Sequence, residues 1–237
     1  MWTVLLLVYV ELDVRLRIGG LRKRRFHHYL SSNAMDDAIE SFRGFPDLVR
    51  ELTSGAATIE YEIKTIERPL TSLTPRSENE FWPSPDDTRT ELDQCAPAGR
   101  RDSVFVLWPQ HNFECKTSVP GTAWGLAVGA SHWTNGATYA AIANAQASAW
   151  RNEARGEVWL HEWLHGVCHH FTQLGFVMPE RDADGAELYG YQRSPTAGWT
   201  DYYRDLMSGR VVEKGRRLGI PLEAWAKSSV VSRIASR

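Results

Sequence analysis

The sequence predicts an α+β fold: a mixed, twisted sheet with a backing helix, a helix carrying a His-Glu-x-x-His run, and a smaller, irregular C-terminal lobe. Three observations lead there. Strand-like runs dominate the chain up to about residue 145, with one helical stretch set among them. Residues 154–172 have apolar positions at helical spacing, and no proline occurs from 140 to 178. Beyond Gly175 neither period persists.

The elements follow in order. Residues 3–18 read as one long strand, apolar at first and then alternating from Val10 to Arg17. Asn33 is placed to cap a helix running through Ala38, Phe42 and Leu48 to about Leu52, with Gly44 and Pro46 as points of interruption. Ile59, Tyr61 and Ile63 alternate with charged residues and predict a strand over 57–66. Residues 69–101 are rich in Pro, Ser, Thr and acidic side chains and predict a long loop, with one short helix at 86–94. Strands are expected at 103–108, 122–130 and 137–145, the last two joined at Asn135-Gly136. The motif helix follows, and short helices are expected at 198–206 and 221–226. This divides the chain into a lobe of residues 1–172, ending in the motif helix, and a C-terminal lobe of residues 173–237. There is no internal repeat and no low-complexity segment.

Bulk properties narrow the function. The 237 residues are 43% hydrophobic, enough for a sizeable core. A net charge of −2 gives no overall attraction to nucleic acid or to an anionic membrane, and neither is expected as a partner. The basic run Arg22-Lys23-Arg24-Arg25 is short and reads as a solvated turn or strand end. No segment is long and apolar enough to span a membrane, and the apolar start runs into an alternating strand rather than a cleavage site. A cytoplasmic location is therefore favoured. Cys95, Cys115 and Cys168 match no cysteine-based zinc site; Cys95 and Cys115 could pair only in an exported protein.

The chemistry centres on His161-Glu162-Trp163-Leu164-His165. Positions i and i+4 lie on one helix face, so the two imidazoles can bind one zinc ion. Glu162 is then placed to act as general base. Leu160, Trp163, Leu164, Val167 and Phe171 supply the apolar stripe that would seat this helix on a core.

This motif resembles that of the zincin metallopeptidases. The order of strands and helices before it is similar to the N-terminal lobe of the metzincin branch. The resemblance implies a zinc-dependent peptidase acting on a peptide or protein substrate. It implies His161 and His165 as zinc ligands, Glu162 as general base, and either 137–145 or its hairpin partner along the cleft. Asp205-Leu206-Met207-Ser208-Gly209 is similar to the methionine turn of metzincins. The chain departs from that branch at the third ligand: Cys168 and Phe171 stand where its glycine and third histidine belong. Other zincins take a Glu or an Asp from beyond the zinc helix. On that analogy Glu187 and Asp184 are equal candidates, with Asp182 behind them. A tyrosine is expected to donate to the oxyanion, with Tyr191 the first choice among Tyr189, Tyr191, Tyr202 and Tyr203. Two alternatives remain: a catalytically silent zincin-fold binding protein, and a zinc hydrolase acting on a non-peptide substrate.

Overall fold

The computed structural model describes residues 1–19, 23–121, 124–151 and 154–226. Arg22 of the basic run, the start of the strand expected at 122–130, and residues 227–237 of the expected C-terminal lobe lie outside them.

In chain order the strands and helices are β1 (Trp2–Tyr9), β2 (Glu11–Arg17), β3 (Lys23–Tyr29), α1 (Ser32–Leu52), β4 (Ile59–Ile66), β5 (Thr74–Ser77), β6 (Glu80–Trp82) and α2 (Arg89–Cys95). Then come β7 (Ser103–Trp108), β8 (His111–Asn112), β9 (Thr117–Ser118), β10 (Gly125–Val128), β11 (Thr138–Ala143), α3 (Ala147–Arg151) and α4 (Glu157–Gln173). A 3-10 segment (Asp182–Tyr189) precedes α5 (Thr200–Leu206), β12 (Val211–Glu213), β13 (Arg216–Leu218) and α6 (Leu222–Trp225).

The architecture is mixed α/β around a mixed five-stranded sheet, ordered β10-β11-β7-β1-β4. β4, β1, β7 and β11 are parallel, and β10 is the antiparallel edge strand. β1, β7 and β11 are apolar almost throughout because both faces of the sheet are covered. Val4, Leu6, Val8, Phe105 and Ile142 face one core cluster, which they share with α1 and α4. Leu5, Leu7, Val104, Val106 and Tyr139 face the other, under the β2–β3 hairpin and α2. The period-2 alternation of strand side chains thus builds a three-layer molecule.

Several expectations are corrected. The strand expected at 3–18 is two strands: the chain leaves the sheet at Val10, and β2 turns away to pair with β3. Alternation alone cannot reveal such a break, since both strands obey the same period. The cap of α1 is Ser31, whose hydroxyl accepts the Ala34 N–H. The helix runs through Gly44 and Pro46 without interruption. Gly44 is required by a close approach, since a Cβ there would lie 2.5 Å from Arg155 Cγ. The cost of Pro46 is offset by Phe42, Phe45, Leu48 and Val49, all buried. The long loop contains the β5–β6 hairpin. A 3-10 turn at His132–Thr134, not a tight two-residue turn, joins β10 to β11.

The chain after α4 does not form a separate core. Tyr202, Leu206, Met207, Ile220 and Trp225 belong to the cluster that contains Trp2, Trp163 and Phe171. Met207, in the segment similar to a methionine turn, is fully buried and its carbonyl accepts the Trp225 indole N–H. The three cysteines are free, so Cys95 and Cys115 are not bonded to each other. Among the described residues no helix is long and apolar enough to cross a membrane.

The second face is tied by Glu91, which is 5% exposed. Arg68 grips both its oxygens at 2.5 Å and the Tyr9 hydroxyl donates to Oε2 at 2.6 Å. Burial alone would raise the Glu91 pKa, but the bonds from Arg68 and Tyr9 outweigh it and hold the carboxyl below its usual value. The stability this adds is present above the unfolded-state pKa and is lost as pH falls through the folded-state value. Glu91→Gln is expected to destabilise the fold by about 1–3 kcal/mol near neutral pH. Urea melts of both proteins should converge as the pH is lowered; a constant gap down to acid pH would refute the assignment.

Candidate metal centre

The setting of α4 determines the site. Its first turn begins after Gly156, and Trp159, Leu160, Trp163, Leu164, Val167 and Phe171 are buried. Two indole N–H groups fix the rotation of the helix. Trp159 donates to Ser41 Oγ of α1 at 3.2 Å, and Trp163 donates to Ser103 Oγ of β7 at 2.9 Å. At 3.6 residues per turn, this turns His161 and His165 toward the open side. Glu162 is carried toward β10 and is 5% exposed.

The two imidazoles face each other, Nε2 to Nε2, at 3.3 Å. Their other nitrogens are engaged from behind: His161 Nδ1 lies 2.7 Å from the Tyr203 hydroxyl, and His165 Nδ1 lies 2.5 Å from Asp182 Oδ1. With each Nδ1–H donating backward, both Nε2 lone pairs point into the same space. Asp184 approaches that space from the 3-10 segment, with Oδ1 3.4 Å from His161 Nε2 and Oδ2 3.8 Å from His165 Nε2. His161, His165 and Asp184 each offer one ligand atom, all within 4.8 Å of one another.

These donors fit a zinc ion. Around a tetrahedral centre with bonds of about 2.0–2.1 Å, neighbouring ligand atoms lie about 3.3–3.4 Å apart. Two nitrogen lone pairs held at 3.3 Å repel each other unless a proton or a cation lies between them. Burial, and then the His165 charge, lower the His161 pKa, so that ring is neutral at pH 7. For His165 burial pulls downward, but the bond to Asp182 and the nearby carboxylates raise its pKa overall. Burial pushes Glu162 up to about 7, opposed by His165 and assisted by Asp184.

The site lies in a cleft of ≈ 540 Å³. Gly125, Leu126 and Ala127 of the edge strand form one side, and His161, Glu162 and His165 form the other. This is the hairpin partner of β11, one of the two positions expected along the cleft. Gly125 is needed there, because a Cβ would sit 2.7 Å from the Ala141 backbone carbonyl oxygen and 2.7 Å from the Glu162 carboxyl carbon. A smaller cavity of ≈ 180 Å³ shares His161 and Trp124 with the cleft.

Five of the sequence-derived candidates therefore come together: His161, Glu162, His165, Asp182 and Asp184. Glu187 does not join the ligand group and is exposed. It follows Asp184 by three residues in the 3-10 segment, and its carboxylate lies outside the group of ligand atoms. Tyr191 is also corrected. Its hydroxyl donates to Asp205 Oδ2 at 2.7 Å and its ring lies against Tyr202, outside the cleft. Tyr203 is the tyrosine at the cluster, behind His161. Asp182 is present not as a ligand but as the partner of His165.

Sequence reasoning missed these supporting roles. Arg181 and Asp182 both adopt positive φ, 61° and 36°, and this unusual pair aims the Asp182 carboxylate at His165. Asp182 is a residue type that tolerates such a turn, but Arg181 before it is not. Comparison with protein-family models, with curated proteins and with solved structures finds no match to this chain, so the arrangement of these side chains carries the functional reading.

Proposed function

We propose that the protein is a zinc-dependent metallopeptidase with a zincin-like fold. The observation that carries this reading is the convergence of His161 Nε2, His165 Nε2 and the Asp184 carboxylate beside Glu162, in a cleft bordered by an antiparallel edge strand. His161, His165 and Asp184 are the residues that would hold the ion. Zinc held there supplies Lewis-acid polarisation of water and of the scissile carbonyl.

The chain's own residues account for the rest. Among the described residues β10 is the edge strand of the sheet and borders the cleft, where an extended peptide can add as a further strand. Glu162 stands beside the cluster, buried in the wall of the cleft, where a carboxylate can take and then return a proton within one turnover. One carboxylate oxygen takes the proton of the attacking water and delivers it to the leaving amine nitrogen. Asp182 and Tyr203 hold the imidazoles in the tautomer that leaves Nε2 free. Leu126 and Ala127, with the covered sheet behind them, keep one wall of the cleft apolar.

Three measurements test this reading. Glu162→Gln should lower peptide hydrolysis by about 10²–10⁴-fold while zinc stays bound; undiminished turnover would remove Glu162 as the base. Asp184→Ala should strip the protein of zinc on dialysis, as His165→Ala should, whereas Glu187→Ala keeps it. Asp182→Asn is expected to weaken zinc binding by about 10–100-fold. Zinc content by atomic absorption reads all four, and a zinc-free Glu187→Ala protein would reverse the ligand assignment. Gly125→Ala pushes against Glu162, so kcat should fall by about 10²-fold with zinc content unchanged. A fully active Gly125→Ala enzyme would show that the position of Glu162 against β10 is immaterial.

A further inference from the structure

We propose that the ≈ 180 Å³ cavity beside His161 is a specificity pocket for a basic side chain, lysine or arginine, flanking the scissile bond, with Glu157 as the residue that recognises its charge. This inference rests on the metallopeptidase reading. The pocket opens where the chemistry would occur, since His161 and Trp124 line both it and the cleft. A substrate lying along β10 would therefore present a side chain beside the bond to be cut to this cavity.

The walls indicate which side chain. Trp124, Trp199, Tyr203 and Val158 give the pocket an aromatic and aliphatic lining. Such walls match the methylene stem of lysine or arginine, and ring faces attract a cation. Glu157 is the exception among them. It begins α4, it is 3% exposed, and its Oε1 accepts the Trp199 backbone N–H at 2.8 Å. It has no part in holding the ion or moving the proton. Burial raises its pKa, only partly offset by that single backbone bond. A cationic guest would bring a positive charge to it, while an acidic guest would meet a second carboxylate in a dry site. Arg193 also lines the cavity, but it is exposed, so solvent screens its charge far more than that of Glu157.

The test uses two internally quenched peptides that differ only in lysine or norleucine, placed in turn on each side of the scissile bond. The zinc-loaded wild-type protein should favour lysine on one side by about tenfold or more in kcat/KM. Glu157→Gln, whose amide oxygen can still accept the Trp199 N–H, should bring that ratio close to one. Equal rates for the two peptides in the wild type would overturn the pocket, and this comparison needs no variant. An unchanged lysine preference in Glu157→Gln would overturn the role of Glu157. Calorimetric titration of the Glu162→Gln protein with the same peptides separates binding from turnover. Cleavage without lysine preference would sink the pocket and leave the peptidase. Lysine-selective binding with no cleavage by the wild type would sink the peptidase and leave the pocket.

Discussion

Two indole hydrogen bonds govern the rest of the site. Trp159 holds α4 to α1 through Ser41, and Trp163 holds it to the sheet through Ser103. Both rings are fully buried, so the helix cannot rotate without breaking two satisfied polar contacts and a large aromatic interface. A rotation by one residue, about 100°, would carry His161 and His165 away from the cleft. The donor geometry thus depends on apolar packing on the far side of the helix. Apolar burial places α4 at the sheet, and two polar contacts set its phase.

The opposite wall is built differently. The 3-10 segment that carries Asp184 is held by a turn rather than by a packed helix. The Asp182 side chain receives His165 Nδ1–H and the Ala183 N–H, while its backbone carbonyl accepts the Tyr202 hydroxyl. One residue thereby joins α4, the acidic segment and α5. The two residues with positive φ stand at this junction, where the three contacts of Asp182 offset the strain of the backbone.

What was legible in the sequence follows from this difference. The helix with His161, Glu162 and His165 was readable because ligand spacing and apolar spacing share one period. β7 and β11 were readable as apolar runs bounded by turn residues. The end of β1 at Val10 was not, because a strand leaving one sheet for another keeps its alternation. The choice between Asp184 and Glu187 was not readable either. It depends on where along its axis the 3-10 segment meets the histidines, a position set by the turn at Arg181 and Asp182, which no glycine announces. Asp182 and Tyr203 were hidden for another reason: their partners lie 17 and 42 residues away in the chain.

The proposed ligands also differ in how firmly they are held. The His161 and His165 side chains are 26% and 24% exposed and braced from behind, whereas the Asp184 side chain is 62% exposed. Such a site has two fixed jaws and one hinged one. An ion would enter and leave on the carboxylate side, and a chelator would reach it by displacing Asp184 first. The rate of metal exchange at the proposed site would then be controlled by the acidic segment, while the two nitrogens on α4 would select the metal. Changes around residue 184 would tune how quickly the protein loads and unloads without altering the helix beneath.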